Sequence, residues 1–170
     1  LSMRMEKEIN EFAIFIPAYS EEANSFEVVK LTLNECKNII VVDDGSIDKT
    51  IGGLEGLPIN LNKHETNKEK AASLWDGFMG ALEMGVDFII TLDGDGQHAP
   101  SDVSLLLNKA AEFPKDIIIG ARLADKSAIP AKRYYANKFA NSWLAGAAGY
   151  PIHDSQSGFI VYTRALFDKL

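Results

Sequence analysis

Two short acidic clusters hold the residues best suited to chemistry: Asp43-Asp44-Gly45-Ser46 and Asp93-Gly94-Asp95-Gly96-Gln97. Carboxylates this close raise one another's pKa unless a cation or hydrogen-bond donors compensate. In the second cluster two carboxylates and an amide oxygen form a hard-oxygen donor set suited to Mg2+ or Mn2+, and the glycines permit a tight turn. Mg2+ is commonly held by one or two carboxylates, with substrate phosphates completing its shell. So sparse a site predicts a phosphate-bearing ligand; a solvated Asp-Gly turn is the bland alternative. Further along, Arg122 follows an apolar run, and Lys132, Arg133 and Lys138 lie in the next segment. Cations there suit a diphosphate, although a solvated basic helix face uses the same residues. Asp154 is a candidate general base in a stretch where a lone Asp is more often a turn former. His98 and His153 show no metal-ligand spacing.

These residues need a scaffold, and the apolar patterning supplies one. Short apolar runs at Phe12–Ile16 (ended by Pro17), Asn38–Val42, Leu57–Leu61, Asp87–Leu92, Lys115–Ala121 and Phe159–Tyr162 predict strands. Between them, helical spacing predicts a helix capped by Asn24 or Ser25 and running through Phe26, Val29, Leu31 and Leu33. A weak Gly-broken helix over Thr50–Gly56 and a firmer one from Lys70 to Met84, stopped by Gly85, follow. Ser101 reads as the cap of a helix with Val103, Leu106, Leu107 and Ala110 on its apolar side, and Pro130–Ala148 reads as helical and aromatic-rich. Strands alternating with helices predict an α/β domain with a mainly parallel sheet, in which ligands bind beyond the carboxyl ends of the strands. Both acidic clusters fall at such ends.

Composition narrows the class. A chain of 170 residues with 46% hydrophobic and 24% charged content fits one globular domain. The net charge of −7 argues against a general nucleic-acid binder. A single cysteine, Cys36, excludes a disulfide framework, reads as a small buried hydrophobe, and points weakly to a reducing, cytoplasmic compartment. No run approaches the ~18 apolar residues of a membrane span, and no signal peptide is evident. Residues 1–10 read as a frayed terminus or expression remnant and 11–170 as the folded domain, cut short at a helix that begins near Arg164. No Gly-x-Ser-x-Gly, Gly-x-Gly-x-x-Gly or Gly-x-x-x-x-Gly-Lys-Ser/Thr motif occurs, which leaves serine hydrolases, dinucleotide binders and the common triphosphate cradle without support.

Five segments, in order, resemble the family 2 glycosyltransferases of GT-A fold, in particular dolichol-phosphate mannose synthase-like and bacterial polyprenyl-phosphate sugar transferases. They are Ile16-Pro17-Ala18-Tyr19-Ser20-Glu21-Glu22, Val41 to Thr50 with its Asp43-Asp44-Gly45-Ser46, Thr91 to His98, Gly120-Ala121-Arg122, and Asp154-Ser155-Gln156-Ser157-Gly158-Phe159. The resemblance implies that Pro17, Tyr19 and Glu21 surround a nucleobase whose edge bonds Asp44. It implies that Asp93 lies near ribose and metal, that Asp95 and Gln97 ligate Mg2+ or Mn2+, that Arg122 and Arg133 hold the diphosphate, and that Asp154 faces the acceptor. Asp154 and Asp95 are thus the catalytic candidates. The reaction implied is an inverting, metal-dependent transfer of sugar from a UDP- or GDP-sugar to a polyprenyl phosphate or saccharide, as in cell-envelope polysaccharide synthesis. The chain departs from the family pattern at Ser20, in the glycine-free Asn67-Lys68-Glu69-Lys70-Ala71, and at Ile160. A lipid acceptor places the protein at the cytoplasmic face of a membrane; Tyr134, Tyr135, Phe139, Trp143 and Leu144 suit that interface, though a core stripe has the same spacing. A nucleotidyltransferase that makes sugar nucleotides, and a non-catalytic sugar-nucleotide-binding domain, are the competing readings.

Overall fold

The structure, a computed structural model, describes residues 12–19, 22–48, 50–68, 70–120 and 157–167. Its elements are β1 (Phe12–Ala18), α1 (Glu22–Thr32), β2 (Ile39–Asp43), α2 (Thr50–Leu54), β3 (Asn60–Lys63), α3 (Lys70–Glu83), β4 (Phe88–Thr91), α4 (Val103–Glu112), β5 (Ile118–Ile119), β6 (Ile160–Thr163) and α5 (Arg164–Phe167). One sheet runs in the order β3-β2-β1-β4-β6-β5. Strands β1 to β4 are parallel, and β6 lies antiparallel between β4 and β5, so β5 points with the rest. This is the mainly parallel α/β sheet that the alternation of elements predicts.

Both faces of the sheet are covered, which is why the central strands are apolar throughout rather than alternating. Ile14, Ile16 and Ala18 of β1 pack with Val28 and Val29 of α1 and with Val103, Leu106, Leu107 and Ala110 of α4. Ala13 and Phe15 face the other way, toward Ala81, Leu74, Phe78 and Leu82 of α3. Two positions of α3 have no side chain to hold it off the sheet: a Cβ on Gly77 would overlap the Phe15 ring, and one on Gly80 would lie 3.4 Å from Ile40 Cδ1.

The register gives the carboxyl edge a step. Ala18 pairs with Asp43 and Asp43 with Lys63, so β1, β2 and β3 end level. On the other side Phe15 pairs with Thr91, Thr91 with Ile160, and Ile160 with Ile119, so β4, β6 and β5 stop at the level of Phe15. Pro17 depends on this stagger. Ile14 N–H bonds toward β2 and Phe15 O toward β4, at Leu92 N–H; residue 17 therefore faces the β4 side, where that strand has already ended. A proline without an N–H leaves no gap in the ladder there. Hence β1 continues through Pro17 to Ala18 instead of stopping at Ile16.

Other boundaries move for similar reasons. Helix α1 starts at Glu22, before Asn24 and Ser25, and its buried face is Ser25, Val28, Val29 and Thr32; Phe26 and Leu31 are exposed at 40% and 44%. Thr32 Oγ1 returns a 2.7 Å hydrogen bond to Val28 O. Strand β3 falls later than the Leu57–Leu61 run because Leu57 and Ile59 enter the core from the preceding turn and leave a polar edge strand. Ser101 is not a cap: a 3-10 turn over Pro100–Asp102 leads into α4, with Asp102 at the cap position making no side-chain bond. Strand β5 is only two residues long, and β6 begins one residue after Phe159, which is itself core. The expected helix stop at Gly85 holds, with φ at 75°. Pro130–Ala148 and its aromatic stripe lie outside the described residues.

Gly77→Ala tests the close approach of α3. Alanine adds roughly 1 kcal/mol of helix propensity, but overpacking against a fully buried ring costs about 1–3 kcal/mol. The variant should lose stability by up to ~2 kcal/mol in urea denaturation. Gly52→Ala in α2, whose Cβ would meet nothing within 4 Å, should be neutral or gain up to about 1 kcal/mol.

Candidate functional site

The upper level of the edge carries Tyr19, Asp44 and His64. Tyr19 follows β1 and is 48% exposed, a flat ring standing at the mouth. Asp43 and Asp44 follow one another but take different partners. Asp43, fully buried, accepts from the Ser46 amide at 3.2 and 3.3 Å and from the Ser46 hydroxyl. Asp44 Oδ1 accepts from His64 Nδ1 at 2.8 Å and from the Lys68 backbone N–H at 2.8 Å. The other imidazole nitrogen, Nε2, lies 2.7 Å from Asp76 Oδ2 on α3. Gly45 closes this arrangement: its φ is 75°, and a Cβ would come within 2.7 Å of the Asn67 nitrogen and the Thr66 carbonyl carbon. Only glycine brings the two loops this near.

Burial pushes the Asp44 carboxyl up, but the His64 imidazole and the Lys68 amide outweigh it and hold the group below its usual range. The Asp44 carboxylate raises the His64 pKa; burial opposes this, and Asp76 raises it further, so the net displacement is upward. The Ser73 hydroxyl on α3 is buried near this cluster, and it makes no hydrogen bond of normal geometry among the described residues.

At the lower level stand Asp93, Asp95, Gln97, Gly120 and the Ser157–Phe159 segment. Asp95 Oδ1 accepts from the Gln97 amide at 3.0 Å, which curls the loop. The antiparallel register of β4 and β6 sets Gly158 beside Asp93, and a Cβ on Gly158 would overlap the Asp93 carboxylate. Ser157 Oγ donates to Gly120 O at 2.6 Å and accepts from the Phe159 amide at 3.1 Å, and Gly120 N–H donates to Phe159 O at 2.7 Å. His98 flanks this knot, with its ring centroid 5.2 Å from that of Phe159. Three segments far apart in sequence therefore meet at one place.

Among the described residues no group of three or more His, Cys, Asp or Glu side chains converges as a complete metal site. The half-buried Asp93 and Asp95, with Gln97 exposed beside them, are oxygen donors too few to enclose an ion. They fit a Mg2+ or Mn2+ ion that a phosphate ligand completes.

Comparison with known proteins follows the same lines. The model of the family described as glycosyl transferase family 2 matches residues 13–170. The chain belongs to this family. Among its relatives are an uncharacterised protein of Methanocaldococcus jannaschii, 37% identical over 96% of this chain and 70% of the relative, and a UDP-N-acetylglucosamine--dolichyl-phosphate N-acetylglucosaminyltransferase of Methanococcus voltae, 30% identical over 92% and 71%. A polyprenol monophosphomannose synthase of Mycolicibacterium smegmatis is 32% identical over 92% of this chain and 63% of its own length. Among solved structures, glucosyl-3-phosphoglycerate synthase of Mycobacterium tuberculosis with phosphoglyceric acid aligns at a TM-score of 0.71 and 18% identity, over 95% of this chain and 59% of that one. The same enzyme with Mn2+ and UDP-glucose aligns at 0.63 over 95% and 58%. The architecture is thus the GT-A fold expected from the sequence. The family is one of glycosyl transferases, which removes the support for a nucleotidyltransferase.

Of the residues singled out in this family 2 transferase by sequence, Pro17, Tyr19, Asp44, Asp93, Asp95 and Gln97 all lie on the carboxyl edge. Glu21, Arg122, Arg133 and Asp154 lie outside the described residues. Gly120 and Ser157, the described residues nearest in sequence to Arg122 and Asp154, are hydrogen-bonded to each other next to the contact of Gly158 with Asp93. The glycine-free loop still delivers its Lys68 amide to Asp44. Sequence reasoning missed His64 and Asp76. The available signal was a histidine directly after a strand that pairs with the one ending at Asp43, followed by an acid in the second turn of the next helix.

The linked pair makes stability pH-dependent. The His64 contribution is fully present below its ordinary value near 6.5 and is lost as pH rises through its raised pKa. The Asp44 contribution is present above 3.8 and is lost as pH falls through its lowered pKa. Urea denaturation should show this pair contributing most between about pH 4 and 6.5, and His64→Leu should flatten the alkaline fall.

Proposed function

We propose that this chain is the donor-binding catalytic domain of a metal-dependent, inverting glycosyltransferase that moves a sugar from a UDP- or GDP-sugar to a polyprenyl phosphate. What supports the reading is the convergence of Asp93–Gln97, Gly120 and Ser157–Gly158 one step below Tyr19 and Asp44, in a chain of family 2. Two relatives are named for transfer to dolichyl phosphate or polyprenol. Membrane contact is expected at the cytoplasmic face, where such an acceptor is anchored; among the described residues no helix is long and apolar enough to cross a bilayer.

In this reading the base lies against Tyr19 and Pro17, with Glu21 nearby, and its edge meets Asp44. Asp93, Asp95 and Gln97 would hold Mg2+ or Mn2+, which when bound supplies positive charge to the departing diphosphate. Arg122 and Arg133 add fixed positive charge to the same oxygens, most useful as negative charge grows there. An acceptor oxygen attacks the anomeric carbon from the side opposite the nucleoside diphosphate. The new C–O bond forms as the C–O bond to the diphosphate breaks, and configuration inverts. A phosphate acceptor is already ionised and gives up no proton, whereas a sugar hydroxyl passes its proton to Asp154.

Asp95→Ala should lower transfer from UDP-sugar to a short polyprenyl phosphate by about a hundredfold or more and abolish the Mn2+ dependence of UDP binding in titration calorimetry; unchanged metal-dependent binding would refute the metal assignment. Asp154→Asn should retain transfer to the phosphate acceptor while losing transfer to a hydroxyl acceptor. Tight donor binding without transfer to any acceptor would instead mark a non-catalytic domain.

A further inference from the structure

His64 is 4% exposed and sits between two carboxylates, with Nδ1 2.8 Å from Asp44 Oδ1 and Nε2 2.7 Å from Asp76 Oδ2. An ionised carboxylate can only accept hydrogen bonds. With both carboxylates ionised, both ring nitrogens carry hydrogen and the side chain is an imidazolium. The alternative, a protonated carboxyl giving its hydrogen to a neutral ring, runs against the lowered pKa of Asp44. The groups facing the ring are Asp44 after β2, Asp76 on α3, and Lys68 from the loop between β3 and α3, whose charge opposes His64 protonation against two carboxylates.

The clamp also fixes which oxygen of Asp44 is spent. Both donors, His64 Nδ1 and the Lys68 amide, land on Oδ1. Both come from the loop between β3 and α3 and fix the carboxylate through one oxygen, while the Ser73 hydroxyl of α3 lies against the same carboxyl. We propose that His64 is a positioning residue that holds Asp44 in its acceptor-only form, so that the site takes bases offering a ring N–H, as uracil and guanine do, and turns away cytosine, which offers a ring-nitrogen lone pair. This rests on the donor-site reading given above and adds to it the basis on which the nucleobase is chosen. Asp76 is the second anchor. Its side chain is 37% exposed against 7% for Asp44, so loss of the His64 proton frees Asp76 to turn toward water before Asp44 moves.

Two measurements on the protein test this. The first is the 15N signature of the His64 imidazole: both nitrogens should be protonated at pH 7, with a titration above that of a free histidine, and Asp76→Asn should move the titration acidward. A single neutral tautomer at pH 7 overturns the inference. The second is calorimetric binding of UDP, GDP and CDP with Mn2+. The wild type should favour UDP or GDP over CDP by about tenfold or more, the size of one charge-assisted hydrogen bond. His64→Leu should erase that preference, because a poorly compensated Asp44 takes up a proton and becomes a donor; His64→Asn, whose amide can still donate, should restore part of it. A His64→Leu protein that melts as a folded domain and keeps the wild-type preference overturns the inference. If the wild type binds none of the three nucleotides, the donor-site reading fails, and the imidazole spectrum still decides whether the clamp exists.

Discussion

The contact between Asp93 and Gly158 is the constraint around which the edge of the sheet is organised. Not even a methyl group fits between them. The contact follows from an antiparallel strand inserted beside β4, because only that direction brings the start of β6 level with the end of β4. Ser157 then ties the same turn to Gly120 at the end of β5. A parallel sheet by itself lines up strand ends; the inserted strand adds the start of another segment to that line. In this way residues some sixty positions apart share one small volume.

An acidic protein that gathers carboxylates at one edge must compensate them. The two clusters do so by different means. Asp44 meets the His64 imidazole and the Lys68 backbone amide, and its neighbour Asp43 meets the amide and hydroxyl of Ser46. Asp93 and Asp95 belong to a loop whose oxygen donors are suited to an ion from solution. The first arrangement holds one carboxylate fixed and ionised; the second leaves attraction to be completed by what binds.

Much of the architecture was legible in the sequence because buried parallel strands are short apolar runs and their helices carry an apolar stripe. Val103, Leu106, Leu107 and Ala110 are buried as their spacing indicates. Pro17 misled, since whether a proline stops a strand depends on what its neighbour does, and pairing is a tertiary fact. Strand β3 misled because Leu57 and Ile59 pack half-buried against the core without being in the sheet. At the site, the Asp clusters were visible as local motifs, whereas the clamp of His64 and Asp76 was not. His64 is twelve positions from Asp76 and twenty from Asp44, and no local pattern encodes which carboxylates a buried imidazole will meet. The packing of Gly158 on Asp93 escaped for the same reason: a missing side chain shows its purpose only when the atom it makes room for is in place.

The stagger of the two half-sheets has a consequence of its own. From Phe15 to Ala18 is three residues, which at ~3.3 Å per residue of parallel strand amounts to a drop of roughly 10 Å. The depth of that shelf is counted in backbone pairings and owes nothing to the size of any side chain. Substitutions along this edge can therefore change which molecule is preferred while the offset between its two levels stays as it is, and the scaffold can serve a succession of related ligands without being rebuilt.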